Sequence, residues 1–144
     1  MADASFSASR FAQTLKKISF FGSLTKKELD ELVSKVQVSK VKKGTVIIKQ
    51  GDRGTAFCII SSGKVSVLID KGGFKTKVAE LLPGQYFGEM SLIADEPRSA
   101  SILAEEDTEL YALQRGNFES ILMNNPAVSE ALQIVYRSRK EKNK

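Results

Sequence analysis

A mainly β fold, closed into a roll or barrel and flanked by helices at both ends, is predicted for this chain by three observations. Between Val38 and Leu113, β-branched and aromatic residues come in short runs punctuated by Gly, Asp, Ser and Lys, which is the pattern of short strands joined by tight turns. On either side of that region apolar residues recur at helical spacing, as Leu29, Leu32, Val33 and Val36 before it and Val128, Ala131, Leu132 and Val135 after it. With 144 residues, 42% hydrophobic and 27% charged, the chain has the size and make-up of one globular domain with a sizeable core.

Taken in order, residues 1–8 are small and polar and read as a flexible N-terminus, and 9–36 form a helical segment. Phe11, Leu15 and Ile18 predict a short first helix, which Phe20-Phe21-Gly22 interrupts. Thr25-Lys26-Lys27-Glu28 then has the form of a capping box, in which Thr25 accepts from the Glu28 amide and Glu28 reaches back. Leu24 and Leu29 stand where a hydrophobic staple would be. The β-roll occupies 37–114, with strands expected near 36–41, 45–50, 55–61, 64–69, 76–82, 99–104 and 108–113. Gly44, Gly51, Gly54 and Gly63 fall at the joints, Ser62-Gly63 reads as a tight hairpin, and Asp70-Lys71-Gly72-Gly73 reads as another. The stretch from Pro83 to Arg98 is too rich in turn residues to be strand throughout. Phe118, Ile121 and Leu122 begin a helix after Gly116-Asn117, and Asn124-Asn125-Pro126 breaks it and starts another with proline in its first turn. These C-terminal helices span 115–137 and fade into a basic tail, 138–144.

Composition narrows the function classes. The single cysteine, Cys58, cannot form an internal disulfide, and its neighbours Phe57, Ile59 and Ile60 mark it as a small core residue. The chain has no histidine, the commonest metal ligand and the commonest general acid or base near neutral pH. A cupin-like metalloenzyme is therefore not expected, and no metal is called for. The net charge of +5 is local: from Gln133 to Lys144 five basic residues face the single Glu141, a net of +4, which leaves +1 for all the rest. A nearly neutral core does not suit nucleic acid as a partner, and the basic end reads as a solvated helix end or a linker. No basic region followed by a long apolar run opens the chain, and no apolar stretch approaches the length of a membrane span. A cytoplasmic protein is expected.

The stretch from Tyr86 to Ser101 carries the chemistry. Gly84 and Gly88 bracket an aromatic pair, and Glu89 to Ala94 suit one or two helical turns. Amides left unpaired at the start of such a turn, beside a glycine that lets backbone come close, can receive an anion. Arg98 adds a planar cationic fork that holds two phosphate oxygens at once, with Pro97 restricting the backbone before it. Glu89 adds a group that only accepts hydrogen bonds and so suits a sugar hydroxyl. A surface ion pair between Glu89 and Arg98 would require none of the glycine, proline and alanine at these fixed offsets.

Phe87-Gly88-Glu89, then Leu92, then Pro97-Arg98-Ser99-Ala100-Ser101 resembles the phosphate-binding cassette of the cyclic nucleotide-binding domain family. The resemblance implies a jelly-roll-like β-roll with N-terminal helices and two C-terminal helices. It implies that Glu89 takes the ribose 2′-hydroxyl and Arg98 the cyclic phosphate, while the amides of Gly88 and Ala100 and the Ser99 side chain complete the phosphate cradle. Phe87, Met90 and Ser91 are counted with them as ligand-binding positions. In the family the last helices move when ligand draws the cassette inward, and by position Tyr136, or its neighbours Val135 and Arg139, would form the lid over the base. The family often has Ala or Thr where Ser99 stands, so the motif leaves cAMP and cGMP both open.

These readings make the chain a sensor that binds cAMP or cGMP and signals by movement of the C-terminal helix, with no covalent chemistry. Its partners are then the nucleotide and an effector domain or separate protein. A phosphodiesterase would need a metal cluster or a base that the sequence does not offer. A docking or dimerisation domain of the same fold that has lost its ligand is the alternative, against which both Glu89 and Arg98 are retained. A transcription factor of the catabolite-activator type would need a helix-turn-helix after the long helix, for which no room is expected before Lys144.

Overall fold

The computed structural model describes residues 8–54, 56–92 and 97–142, with side chains from 10 to 138 apart from 55 and 91–96. Residues 1–7 of the expected flexible N-terminus, Thr55 at the start of an expected strand, residues 93–96 of the cassette and the last two residues lie outside this set, while Ala8, expected in the flexible end, opens the first helix.

Helix α1 (Ala8–Lys17) runs into a 3-10 turn at Ser19–Phe21, and α2 (Lys26–Lys35) follows. The capping box at α2 forms as the sequence expects: the Glu28 amide donates to Thr25 Oγ1 at 3.1 Å and the Thr25 amide donates to Glu28 Oε1 at 2.9 Å. Val36 caps α2 in extended conformation and turns the chain into β1 (Gln37–Val41). After β2 (Val46–Ile48) come β3 (Ala56–Ser62), β4 (Val65–Lys71), β5 (Phe74–Leu81), β6 (Tyr86–Phe87), β7 (Ser101–Ala104) and β8 (Thr108–Gln114). A 3-10 turn at Arg115–Asn117, α3 (Glu119–Asn124) and α4 (Pro126–Lys142) complete the order. Helix α4 thus carries the expected basic tail as far as Lys142 on helical backbone. Among the described residues no helix is long and apolar enough to cross a membrane.

The strands form two antiparallel four-stranded sheets, in the orders β1-β8-β3-β6 and β2-β7-β4-β5. Two expectations change. Ser62-Gly63 does not close a hairpin, because β8 and β6 already occupy both edges of β3 and leave no place for β4; the chain crosses instead to the other sheet. That corner needs glycine, since Gly63 has φ +94 and a Cβ there would lie 2.5 Å from Thr108 Oγ1 and 2.6 Å from the Asp107 carbonyl. The turn-rich stretch after Pro83 also holds a strand, β6, too short at two residues to show a period. The hairpin at Gly72-Gly73 is present, joining β4 to β5 with the Gly73 amide donating to Asp70 Oδ1 at 2.9 Å.

The pleat of the first sheet divides the core in two. Phe57 and Ile59 of β3, with Tyr111 and Leu113 of β8, face the helices and pack with Phe11, Leu15, Phe20, Phe21, Leu32, Phe118, Ile121 and Leu132. Cys58 and Ile60, with Leu110 of β8, face the second sheet and pack with Val65, Phe87 and Ile102. Phe21 stacks on Phe118 with ring centroids 5.3 Å apart, which brings the N-terminal turn against the C-terminal helices.

Asn125, between α3 and α4, fastens those helices to α2. Its Nδ2 donates to Glu28 Oε1 at 2.8 Å and to the Ser23 carbonyl at 3.1 Å, while its Oδ1 accepts from the Val128 amide at 3.3 Å. Burial pushes the Glu28 carboxyl up, but hydrogen bonds from the Thr25 amide, Asn125 and the Thr25 hydroxyl outweigh it and hold the pKa below 4.5. A depressed carboxyl contributes stability above its unfolded pKa, and that stability is lost as pH falls through the folded value. Asn125→Ala is expected to cost about 1–2 kcal/mol at neutral pH in chemical denaturation. The gap from wild type should narrow below pH 4.5 as Glu28 takes up its proton.

Candidate functional site

The site is assembled from the segment after β6 and the turn between β2 and β3. Gly88 has φ +86, and a Cβ there would lie 2.5 Å from the Ala56 carbonyl oxygen and 2.9 Å from Arg98 Nη1, so backbone and packing both demand glycine. One 3-10 turn, Glu89–Leu92, follows and packs on β3 and α4. A single 3-10 turn has little macrodipole, so attraction for an anion here falls to individual amides and to Arg98 rather than to a helix end.

Arg98 is held at its main chain and at the tip of its side chain. Its amide donates to the Asp52 carbonyl and its carbonyl accepts from the Gly51 amide, each at 2.8 Å, and Pro97 bridges to Arg53. Its Nη2 donates to the Ala56 carbonyl at 3.0 Å, while the buried Nε has no hydrogen-bond partner among the described residues. Burial pulls the Arg98 pKa below its ordinary value, against opposing contributions from Cys58 and Glu89. A guanidinium half-buried in this way stays charged while giving up part of its hydration, a condition that favours binding of a phosphate. Glu89 is 4% exposed, a carboxylate taken out of solvent within electrostatic reach of that cation.

Other positions singled out in the sequence distribute as follows. Phe87 is buried between the sheets, opposite Cys58 of β3. Met90 is half-buried, and the side chain of Ser91 lies outside the described set. Ser99 is exposed and Ala100 half-buried in the bend that leads into β7, two residues later than the strand start expected. On α4, Val135 packs against the helical core and Tyr136 is half-buried; the Arg139 side chain lies outside the described set. The Ala56 carbonyl and Gly54, both against the Arg98 guanidinium, escaped the sequence reading. A backbone acceptor leaves no residue-type signal, and Gly54 read only as a joint.

The family described as cyclic nucleotide-binding domain matches residues 38–125. The chain belongs to the cyclic nucleotide-binding domain family. It is 37% identical to the cyclic AMP receptor protein of Thermus thermophilus over 126 residues, 87% of this chain and 58% of the receptor. It is 36% identical to a cGMP-dependent protein kinase of Eimeria tenella over 84% of this chain and 12% of the kinase. Among solved structures, the regulatory domain of Toxoplasma gondii PKA with cAMP superposes with a TM-score of 0.77 at 27% identity, covering 84% of this chain and 46% of that one. The chain thus spans less than two thirds of each of these proteins.

Burial pushes the Cys58 thiol up to about 11, with Arg98 pulling the other way. At pH 8 about one thiol in a thousand would be ionised. Cys58 is expected to react with Ellman's reagent far more slowly in the folded protein than in denaturant.

Proposed function

We propose that this chain binds a 3′,5′-cyclic nucleotide at the cassette and passes occupancy to its C-terminal helix. The observation that carries the reading is the half-buried guanidinium of Arg98, whose buried Nε has no hydrogen-bond partner among the described residues, within electrostatic reach of the buried carboxylate of Glu89. Two groups of opposite charge, one half-buried and one buried, within electrostatic reach of each other match a ligand that offers an anionic phosphate and a donating hydroxyl on one ring system. In this reading Arg98 holds the cyclic phosphate with the Gly88 and Ala100 amides and the Ser99 hydroxyl, and Glu89 accepts from the ribose 2′-hydroxyl. Contact of α4 with the turn Glu89–Leu92 supplies a direct route from cassette to helix, and Tyr136 is the lid candidate that remains half-buried on it. The likeness to proteins named for cAMP and for cGMP supports the ligand class and leaves the base to be decided by contacts.

Arg98→Leu should leave the fold intact and weaken binding about a hundredfold to a few thousandfold, the effect of about 3–5 kcal/mol for removing one partner of a buried charge pair. Calorimetric titration with cAMP and cGMP measures it, and unchanged curves would sink the assignment. Glu89→Ala should weaken cAMP while barely changing 2′-deoxy-cAMP; equal losses for both would remove Glu89 from the ribose.

For the base, both nucleotides should bind with cAMP slightly ahead. A neutral hydrogen bond from Ser99 contributes about 0.5–1.5 kcal/mol, so Ser99→Ala should change the cGMP/cAMP affinity ratio less than about tenfold. Competition titrations decide it, and a cGMP preference above tenfold that vanished with Ser99→Ala would reverse the order.

A further inference from the structure

Gly54 lies in the turn between β2 and β3, well before the cassette. Its φ is not in the left-handed region, unlike that of Gly51 three residues earlier, so the backbone there does not call for glycine. Arg98 does. A Cβ on Gly54 would lie 2.4 Å from Nη2, 2.6 Å from Nε and 2.8 Å from Cζ of the guanidinium. On the other side, a Cβ on Gly88 would lie 2.9 Å from Nη1, and the Ala56 carbonyl accepts from Nη2. The guanidinium therefore occupies a slot that two glycines leave open and one carbonyl orients. The same turn fixes the main chain of Arg98 through the Gly51 amide and the Asp52 carbonyl.

We propose that Gly54 is a positioning residue for Arg98: the β2–β3 turn, by presenting no side chain at this point, seats the guanidinium in its ligand-ready orientation before any nucleotide arrives. The proposal rests on Arg98 being the phosphate ligand. A planar fork is useful only when its plane and direction match the anion, so a seat that fixes both raises affinity by removing an ordering cost. The geometry also makes alanine at Gly54 a selective change. The three atoms nearest the new methyl are all at the end of a flexible side chain, which can swing aside, and none of them takes part in the hydrogen bonds of the Arg98 main chain. The fold keeps its turn and the guanidinium loses its aim.

Three measurements test this together: cAMP titration of Gly54→Ala, Arg98→Lys and the double variant; thermal unfolding without ligand; and the Arg98 Nε–Hε resonance of nucleotide-free wild type and Gly54→Ala by NMR. Gly54→Ala should melt close to wild type, shift the Arg98 resonance, and bind about tenfold to a hundredfold more weakly, as for a misplaced hydrogen bond to a charged group. Added to Arg98→Lys, which has no guanidinium to displace, it should cost less than about threefold further. Undiminished affinity, an unmoved resonance, an equal loss on the Arg98→Lys background, or a large fall in melting temperature would each overturn the positioning role. Failure of the underlying assignment shows separately, as an Arg98→Leu variant that still binds cAMP like wild type.

Discussion

β3 is buried on both faces, and the rest of the structure depends on that constraint. One face of the strand completes the aromatic core against the helices and the other completes the core between the sheets. A strand so placed cannot alternate apolar with polar, and Phe57-Cys58-Ile59-Ile60 is an unbroken apolar run for this reason. Its two edges are filled as well, by β8 and β6. With neither a free edge nor a free face, β3 sets the position of everything that touches it: the Ala56 carbonyl at its start, Phe87 across from Cys58, and the 3-10 turn of the cassette.

The electrostatics of the cassette follow from that rigidity. A half-buried guanidinium whose Nε is buried without a hydrogen-bond partner among the described residues is unfavourable for folding, because a charged donor gives up water there without replacement. The backbone acceptor of its Nη2, the Ala56 carbonyl, belongs to the first residue of β3 and is held there by sheet pairing. The guanidinium is thereby kept oriented, which shifts part of the ordering that a ligand would otherwise have to impose onto the folding of the chain.

Much of this was legible in the sequence, and the reasons differ by region. The capping box at Thr25 and Glu28, the break at Asn125-Pro126 and the core face of Val128, Leu132 and Val135 are local, set by spacing within a few residues, and the structure places them as read. Sheet partnership is not local. Ser62-Gly63 has the composition of a hairpin, and only the occupation of both edges of β3 by distant strands makes it a crossing between sheets. β6 was invisible because two residues carry no period. Within the site, Glu89 and Arg98 stood out by residue type and offset, whereas the Asn125 link to Glu28 joins residues far apart in the chain and has no motif of its own.

β6 shows what its brevity imposes on the length of the chain. Tyr86 turns to the helical side, its ring 5.5 Å from that of Phe20, and Phe87 turns to the space between the sheets. Gly88 comes next, at a positive φ and without the side chain that would meet Ala56 and Arg98. A residue inserted between Gly84 and Tyr86 would exchange the sides on which the two rings lie and bring a side chain to the crossing point. At the Gly72-Gly73 tip the opposite holds, for nothing lies near either glycine and Phe74 beside them is 80% exposed. Changes in chain length are therefore absorbed at the β4–β5 hairpin, whereas the approach to the cassette admits only one count of residues.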